Sequence, residues 1–192
     1  MEIIFATHNQ NKLKEVQDLM PSHVKLISLD DLDFKEDIPE TSDTIAGNAI
    51  QKVEFLRNRF DLPIFADDTG LIVDSLDGEP GIYSARYAGE HKNSEDNMNL
   101  LLEKLTNNND RKARFITAIA LNLNHNQTLF EGICEGTILK ERKGKKGFGY
   151  DPIFQPDGYT KSFAQMTMSE KGEISHRAKA LRKLIEYLKE VN

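Results

Sequence analysis

The chain has 192 residues, 39% of them apolar and 29% charged, which is enough for one well-buried domain over residues 1–192 with no segment biased toward disorder or repeats. A net charge of −6 argues against a nucleic-acid-coating surface, because such surfaces neutralise phosphates with a net-basic face. The single cysteine, Cys134, rules out an internal disulfide and reads as a small buried apolar side chain between Ile133 and Glu135 in a strand-like stretch.

Ile3 to Ala6 reads as a buried first strand, followed by the polar loop Thr7-His8-Asn9-Gln10-Asn11 and a helix from about Lys12. This apolar run is too short for a signal peptide or a membrane span, so a cytoplasmic protein without a membrane partner is expected. Val24 to Ser28 is a second strand, and the acidic stretch from Leu29 to Ser42 is a loop. A helix from Thr44 to Phe60 carries the apolar stripe Ile45, Ala49, Val53, Leu56 and Phe60. Thr44, Asn48 and Lys52 form a polar line beside that stripe, and Asn48 and Lys52 are expected to line a cleft.

Next, Leu62 to Ala66 reads as a strand running out into the glycine turn Asp67-Asp68-Thr69-Gly70, before a brief strand at Leu71 to Val73. Adjacent strand residues point to opposite sides, so one aspartate can face a site while the other buttresses it. Ser94 is placed as the cap of a helix to Leu105, and Phe115 to Ile138 as a long antiparallel hairpin turning at Asn124 to Asn126. The final helix takes Ser175 as its N-cap and Ala178, Leu181, Leu184, Ile185 and Leu188 as its buried stripe. Early alternation of strands and helices with a hairpin in the middle predicts an α/β protein with a mixed central sheet and flanking helices.

Several segments carry chemistry. The Thr7–Lys12 loop joins a buried strand to a helix start, where backbone N–H groups and Lys12 favour an anion. No glycine-rich phosphate loop of the Walker type is present. Glu40 and Asp68 together suit one Mg²⁺, which takes one or two protein carboxylates and completes its octahedron with water and phosphate oxygens. The five histidines lack zinc-ligand spacing. In Gly144-Lys145-Lys146-Gly147-Phe148-Gly149-Tyr150-Asp151-Pro152 a flat base could stack on Phe148 or Tyr150, with Asp151 at its polar edge or a sugar. Ser175-His176-Arg177 opens the last helix with donors suited to the O6 and N7 edge of a 6-oxopurine.

These segments, in this order, resemble the inosine triphosphate pyrophosphatase family, also called Ham1-like. The pieces that carry the resemblance are Thr7-His8-Asn9-Gln10-Asn11-Lys12 with Glu15; Glu40-Thr41 with Asn48-Ala49 and Lys52; and Ala66-Asp67-Asp68-Thr69-Gly70-Leu71. They continue with Pro80-Gly81 and Ser84-Ala85-Arg86, then Phe148-Gly149-Tyr150-Asp151-Pro152, and Glu170-Lys171 with Ser175-His176-Arg177. The resemblance implies two lobes around a substrate cleft, a homodimer, and Mg²⁺-dependent cleavage of ITP, dITP and XTP to monophosphate and pyrophosphate. It also implies roles: Thr7, His8, Asn9, Gln10, Asn11, Lys12 and Lys52 on the triphosphate, Glu40 and Asp68 on the metal, and Asp68 as general base with Thr69 beside it at the substrate. Phe148, Gly149, Tyr150, Asp151, Lys171, His176 and Arg177 would form the nucleoside set. Two positions depart from the family pattern: Gln165 stands where Glu is frequent, and Gly172, where Asn is frequent, is expected to loosen the loop before His176. The alternatives are a broader or Maf-like nucleoside triphosphate pyrophosphatase, and a nucleotide sensor without turnover, which would not need Glu40 and Asp68.

Overall fold

Ile3, Ile4 and Phe5 are fully buried, so the first strand is apolar on both faces, as a strand covered on both sides must be. The computed structural model describes residues 1–191. Its elements are β1 (Glu2–Phe5), α1 (Gln10–Leu19), β2 (Lys25–Ser28), α2 (Ile45–Leu56), β3 (Ile64–Val73), β4 (Pro80–Gly81), α3 (Ser94–Lys104), β5 (Lys112–Leu123), β6 (Asn126–Ile138), β7 (Phe154–Pro156), α4 (Met168–Ile174) and α5 (His176–Glu190). The strand order is β2-β1-β3-β5-β6-β7 with β4 beside β3. β1 runs parallel to β2 and β3, while β3–β4 and β6–β7 are antiparallel, which makes the sheet mixed and the protein α/β. Among the described residues no helix is long and apolar enough to cross a membrane.

The chain divides into two compact units. The first comprises Met1–Asp68, Thr117–Gly132 and the chain from His176 onward. Strand alternation gives it two apolar layers. Ile3, Phe5, Phe65, Ile119 and Leu121 pack with Val16 of α1 and with Leu181 and Leu184 of α5. Ile4, Ile64, Ala66, Ala118 and Ala120 pack with Ala49, Val53 and Leu56 of α2. The second unit comprises Thr69–Ile116 and Ile133–Ser175, built on Leu71, Val73, Met98, Leu101, Phe115, Ile138, Phe154 and Phe163 with Cys134 buried among them.

Five sequence expectations need correction. The cap of α3 is Asn93, whose Oδ1 accepts from Glu95 N and Asp96 N, and Ser94 is the first helical residue. Asp67-Asp68-Thr69-Gly70 is not a turn: β3 is continuous for ten residues and these four lie in its middle. Asp and Gly are turn formers locally, but tertiary pairing overrides that preference. The helix expected to reach Phe60 stops at Leu56, and the chain turns so that Phe60 meets the Phe34 ring edge-on at 6.1 Å. The hairpin turns on two residues, Asn124 and His125, both with positive φ as a type I′ turn requires. Ser175 ends α4 and, in extended conformation, also stands directly before the first residue of α5, the N-cap position expected of it; Gly172 lies inside α4, so it is part of a helix and not a loosened loop. That helix starts with Thr167 and Glu170 in a reciprocal cap. Gln165 accepts the Ser162 N–H at 3.0 Å in a similar cap, a task its amide oxygen performs as a glutamate would.

Candidate active site

β1 stops at Phe5 while its neighbour β3 runs on, so the residues of β3 just past that point lie beyond the carboxyl end of a parallel strand. Asp67 and Asp68 occupy this stretch. Because successive side chains alternate, Asp67 faces the α1 and α5 side and Asp68 faces α2, the opposed arrangement expected from the sequence.

Asp67 is the buttress. Its Oδ1 accepts from Lys12 Nζ at 3.0 Å and its Oδ2 from Arg177 Nε at 3.0 Å. Burial alone would raise its pKa, but the charges of Lys12, Arg177 and Lys52 outweigh this and hold the carboxyl far below the usual range. Arg177 also pairs with Glu15 of α1 through Nη1, so one guanidinium clamps two carboxylates. Lys12, where burial is the leading cause and two other cations lie nearby, titrates below an ordinary lysine.

On the opposite face Asp68 Oδ2 accepts from Asn48 Nδ2 at 3.2 Å, and Lys52 Nζ lies 3.4 Å from Oδ1. Lys52 also donates to the Asp67 carbonyl at 2.9 Å and pairs with Glu40 at 2.5 Å. Burial opposes the charge of Lys52, yet Asp68, Glu40 and Asp67 raise its pKa above the ordinary value. Asn48 is 2% exposed, and its Oδ1 accepts the Ser42 N–H at 2.9 Å, two residues beyond Glu40. Asn48 and Lys52, one turn apart on α2, therefore set both candidate metal carboxylates.

The charge balance bears on a metal. Lys12, Lys52 and Arg177 meet four carboxylates, those of Glu15, Glu40, Asp67 and Asp68, which leaves one excess negative charge. Glu40 and Asp68 both converge on Lys52 Nζ, so their oxygens face a common cation position. Two converging hard oxygen donors fit magnesium, which keeps its remaining positions for water and phosphate. Among the described residues no three His, Cys, Asp or Glu side chains gather into a metal cage.

The segment from Thr7 to Lys12 divides its work. Thr7 Oγ1 accepts the Asn9 N–H, and Asn9 Oδ1 caps α1 by accepting from Asn11 N and Lys12 N. His8 and Gln10 reach to the 29–42 loop, and Asn11 is exposed. From this segment Lys12 contacts the aspartate pair directly.

The second unit holds the remaining candidates. Asp151 Oδ2 accepts from Lys171 Nζ at 2.6 Å and from Phe148 N at 3.0 Å, and the Lys171 ammonium lies over the Phe148 ring at 5.1 Å. Gly147, with φ +73°, has no room for a side chain, because a methyl group there would overlap the Asp151 carboxylate. Gly149 also adopts positive φ, and Thr69 follows Asp68 along β3. Tyr150 does not offer the stacking face expected from sequence. It is 4% exposed, packs in the core, and donates its hydroxyl to the Ser84 carbonyl at 2.9 Å; burial raises its pKa well above that of free tyrosine. Phe148 is half-buried beside the Asp151–Lys171 pair.

Residues 3–187 match the model of the Ham1 family. The chain belongs to the Ham1 family. It is 57% identical over 188 residues to a Christiangramia forsetii protein named dITP/XTP pyrophosphatase, covering 98% of this chain and 99% of the relative. It is 51% identical to a Flavobacterium psychrophilum protein of the same name, covering 98% and 100% of the two chains. The structure of the Staphylococcus aureus Ham1 protein matches with a TM-score of 0.90 at 39% identity, covering all of both chains.

The sequence assigns no role in this arrangement to Glu15 or Gly132, and to Asn48 only a cleft-lining one. Glu15 was part of a motif without a function, and its partner Arg177 lies 162 residues away. Asn48 was placed only as lining. Gly132 of β6 gave no signal: a methyl group there would overlap the His176 carbonyl and crowd Ala180 N, so β6 admits the first turn of α5, with Arg177, only because residue 132 lacks a side chain. Gly132→Ala is expected to lower stability by about 1–3 kcal/mol, the usual range for overpacking, because the obstructing atoms are backbone. A urea unfolding midpoint equal to that of the parent would show that α5 relaxes without strain.

Proposed function

We propose that this chain is a magnesium-dependent dITP/XTP pyrophosphatase, hydrolysing ITP, dITP and XTP to the monophosphate and pyrophosphate and so clearing deaminated purines from the nucleotide pool. The observation that carries the reading is Asp68, fixed by Asn48 and Lys52 on one face of β3 while Asp67 on the other face is tied to Lys12 and Arg177. A carboxylate held in place by its neighbours is suited to take a proton from water. In this reading Asp68 deprotonates a water that attacks the α-phosphorus; the bond from that phosphorus to the bridging oxygen breaks, and pyrophosphate leaves. Lys12 and Lys52 offset the charge on its oxygens, the electrostatic share that dominates such transfers. Glu40 and Asp68 would hold the magnesium, whose charge neutralises the polyphosphate. Homologues named dITP/XTP pyrophosphatase support the substrate class.

The nucleoside falls to Phe148, Gly149, Asp151, Lys171, His176 and Arg177 in the same reading, with Phe148 as the stacking ring. Arg177 enters under a constraint, since its Nε and Nη1 already serve Asp67 and Glu15. A two-bond contact to O6 and N7 would therefore have to come from the other N–H groups of its Nη1 and Nη2. The second assignment, homodimer formation, rests on the family resemblance and is checked by sedimentation.

A panel of nucleoside triphosphates with Mg²⁺, read for phosphate with and without inorganic pyrophosphatase, tests the reading. Signal from ITP, dITP and XTP only with the auxiliary enzyme is expected; signal without it would mean stepwise removal of phosphate. Glu40→Gln should raise the Mg²⁺ concentration needed for half-maximal rate roughly tenfold, since one of two carboxylate ligands is lost. A metal titration that overlays the parent's would remove Glu40 from the ligand set.

A further inference from the structure

The acidic loop at 29–42 carries Glu40, and a long irregular segment must be tied down to hold one side chain in place. Its far end is anchored on α2: Thr41 N donates to Gln51 Oε1 at 2.8 Å, Gln51 Nε2 returns to Thr41 Oγ1 at 2.8 Å, and Ser42 N donates to Asn48. Its near end is anchored at Ser28, which bonds Asp31 Oδ2 through both N and Oγ, and at Phe34, whose N–H reaches the Leu29 carbonyl. The stretch before Glu40 is held from elsewhere, by the segment that opens α1. His8 Nε2 lies 3.0 Å from the Glu36 carbonyl. A carbonyl only accepts, so the imidazole carries a proton on Nε2 and donates. The same ring stacks on Phe34 with 6.2 Å between centroids and 10° between planes. Two residues on, Gln10 Nε2 donates to Asp30 Oδ2 at 2.7 Å. Phe34 is in turn wedged against Phe55 and Phe60, with Arg59 over its face and paired to Glu36.

We propose that His8 and Gln10 are positioning residues for Glu40: they clasp the acidic loop to the start of α1 and act on the metal requirement rather than on phosphate affinity. The inference rests on the reading of Glu40 as a magnesium ligand, and it reassigns two residues that the sequence placed on the triphosphate. Their side chains are already committed to the loop, at Glu36, Phe34 and Asp30, whereas Lys12 of the same segment is committed to Asp67. The phosphate-facing part of this segment is then its backbone N–H groups and Lys12, and its metal-facing part is the clasp.

The test has two readouts. In metal-free protein, hydrogen exchange over residues 32–42 should be faster in His8→Ala and fastest in His8→Ala/Gln10→Ala, with exchange over 45–56 unmoved. In pyrophosphate release from ITP, the double variant should need roughly 3–10 times more Mg²⁺ for half-maximal rate, the range that losing one or two ordinary hydrogen bonds gives an equilibrium. The KM for ITP at saturating Mg²⁺ should move less than the metal requirement. His8→Phe keeps a ring against Phe34 but loses the Nε2–H donor, and should fall between parent and His8→Ala. Unchanged exchange over 32–42 would overturn the clasp. So would a raised ITP KM with an unmoved metal requirement, which would return both residues to the phosphates. Glu40→Gln separates the two levels: if it shifts the metal titration and the His8 and Gln10 variants do not, only the clasp fails. If Glu40→Gln itself leaves the titration unmoved, the metal reading fails and takes the clasp with it.

Discussion

Asp68→Asn is expected to lower kcat for ITP by on the order of 10²- to 10⁴-fold, the usual worth of a general base, while the protein stays folded. The amide is nearly isosteric and still accepts from one neighbour, and it removes a negative charge from a site that carries one in excess. What it cannot do is take a proton from water. Asn48 and Lys52 would meet a neutral group, so Lys52 should turn more fully to Glu40. Single-turnover measurements at saturating Mg²⁺ check this: the chemical step itself must slow. Parent-like turnover would move the base to another residue, and a fall repaired by added metal would make Asp68 a ligand only.

How this site was legible in the chain follows from what local sequence encodes. Alternation along β3 is local, so the opposite facing of Asp67 and Asp68 could be read from their adjacency. Whether they sat at a strand end could not, because that depends on where the neighbouring β1 stops, a fact of pairing and not of the residues themselves. Asn48 and Lys52 were legible as a helical line because a helix repeats within one turn. The cations that fix Asp67 were not, since Lys12 lies 55 residues before it and Arg177 110 after it. The same holds for Tyr150: in sequence the Phe-Gly-Tyr run offers a stacking ring, and only the core behind it and the Ser84 carbonyl 66 residues away make the tyrosine a buried strut. The helix α4 was passed over although Thr167 and Glu170 spell a capping box, because seven residues are too few for an apolar period to show.

Arg177→Ala is expected to do more damage than a lost base contact. The sequence alone predicts that this change lowers kcat/KM for ITP and changes little for ATP. Arg177 is 2% exposed and its guanidinium pairs with both Asp67 and Glu15, so its removal takes away the cation that these two buried carboxylates share. Breaking a buried pair from one side typically costs about 3–5 kcal/mol, because the remaining charge is uncompensated. Lys12 can still reach Asp67, but Glu15 on α1 loses the partner that ties it to α5. Stability should therefore fall by that amount in urea titrations near neutral pH. The loss should shrink in acid, where Asp67 and Glu15 can protonate in the variant: the parent's Asp67 stays charged to unusually low pH, so its stabilisation is present above the unfolded-state pKa and fades only as pH falls through the depressed folded value. In the folded fraction, kcat/KM should drop for ITP and ATP alike, since the proposed reading puts Lys12 on the phosphates common to both and Asp67 holds Lys12. Arg177→Lys restores a charge but not the two-pronged geometry, and should recover part of the stability and less of the activity. If the alanine variant instead keeps its urea midpoint and loses ITP selectively, the base-reading role governs and the clamp is dispensable.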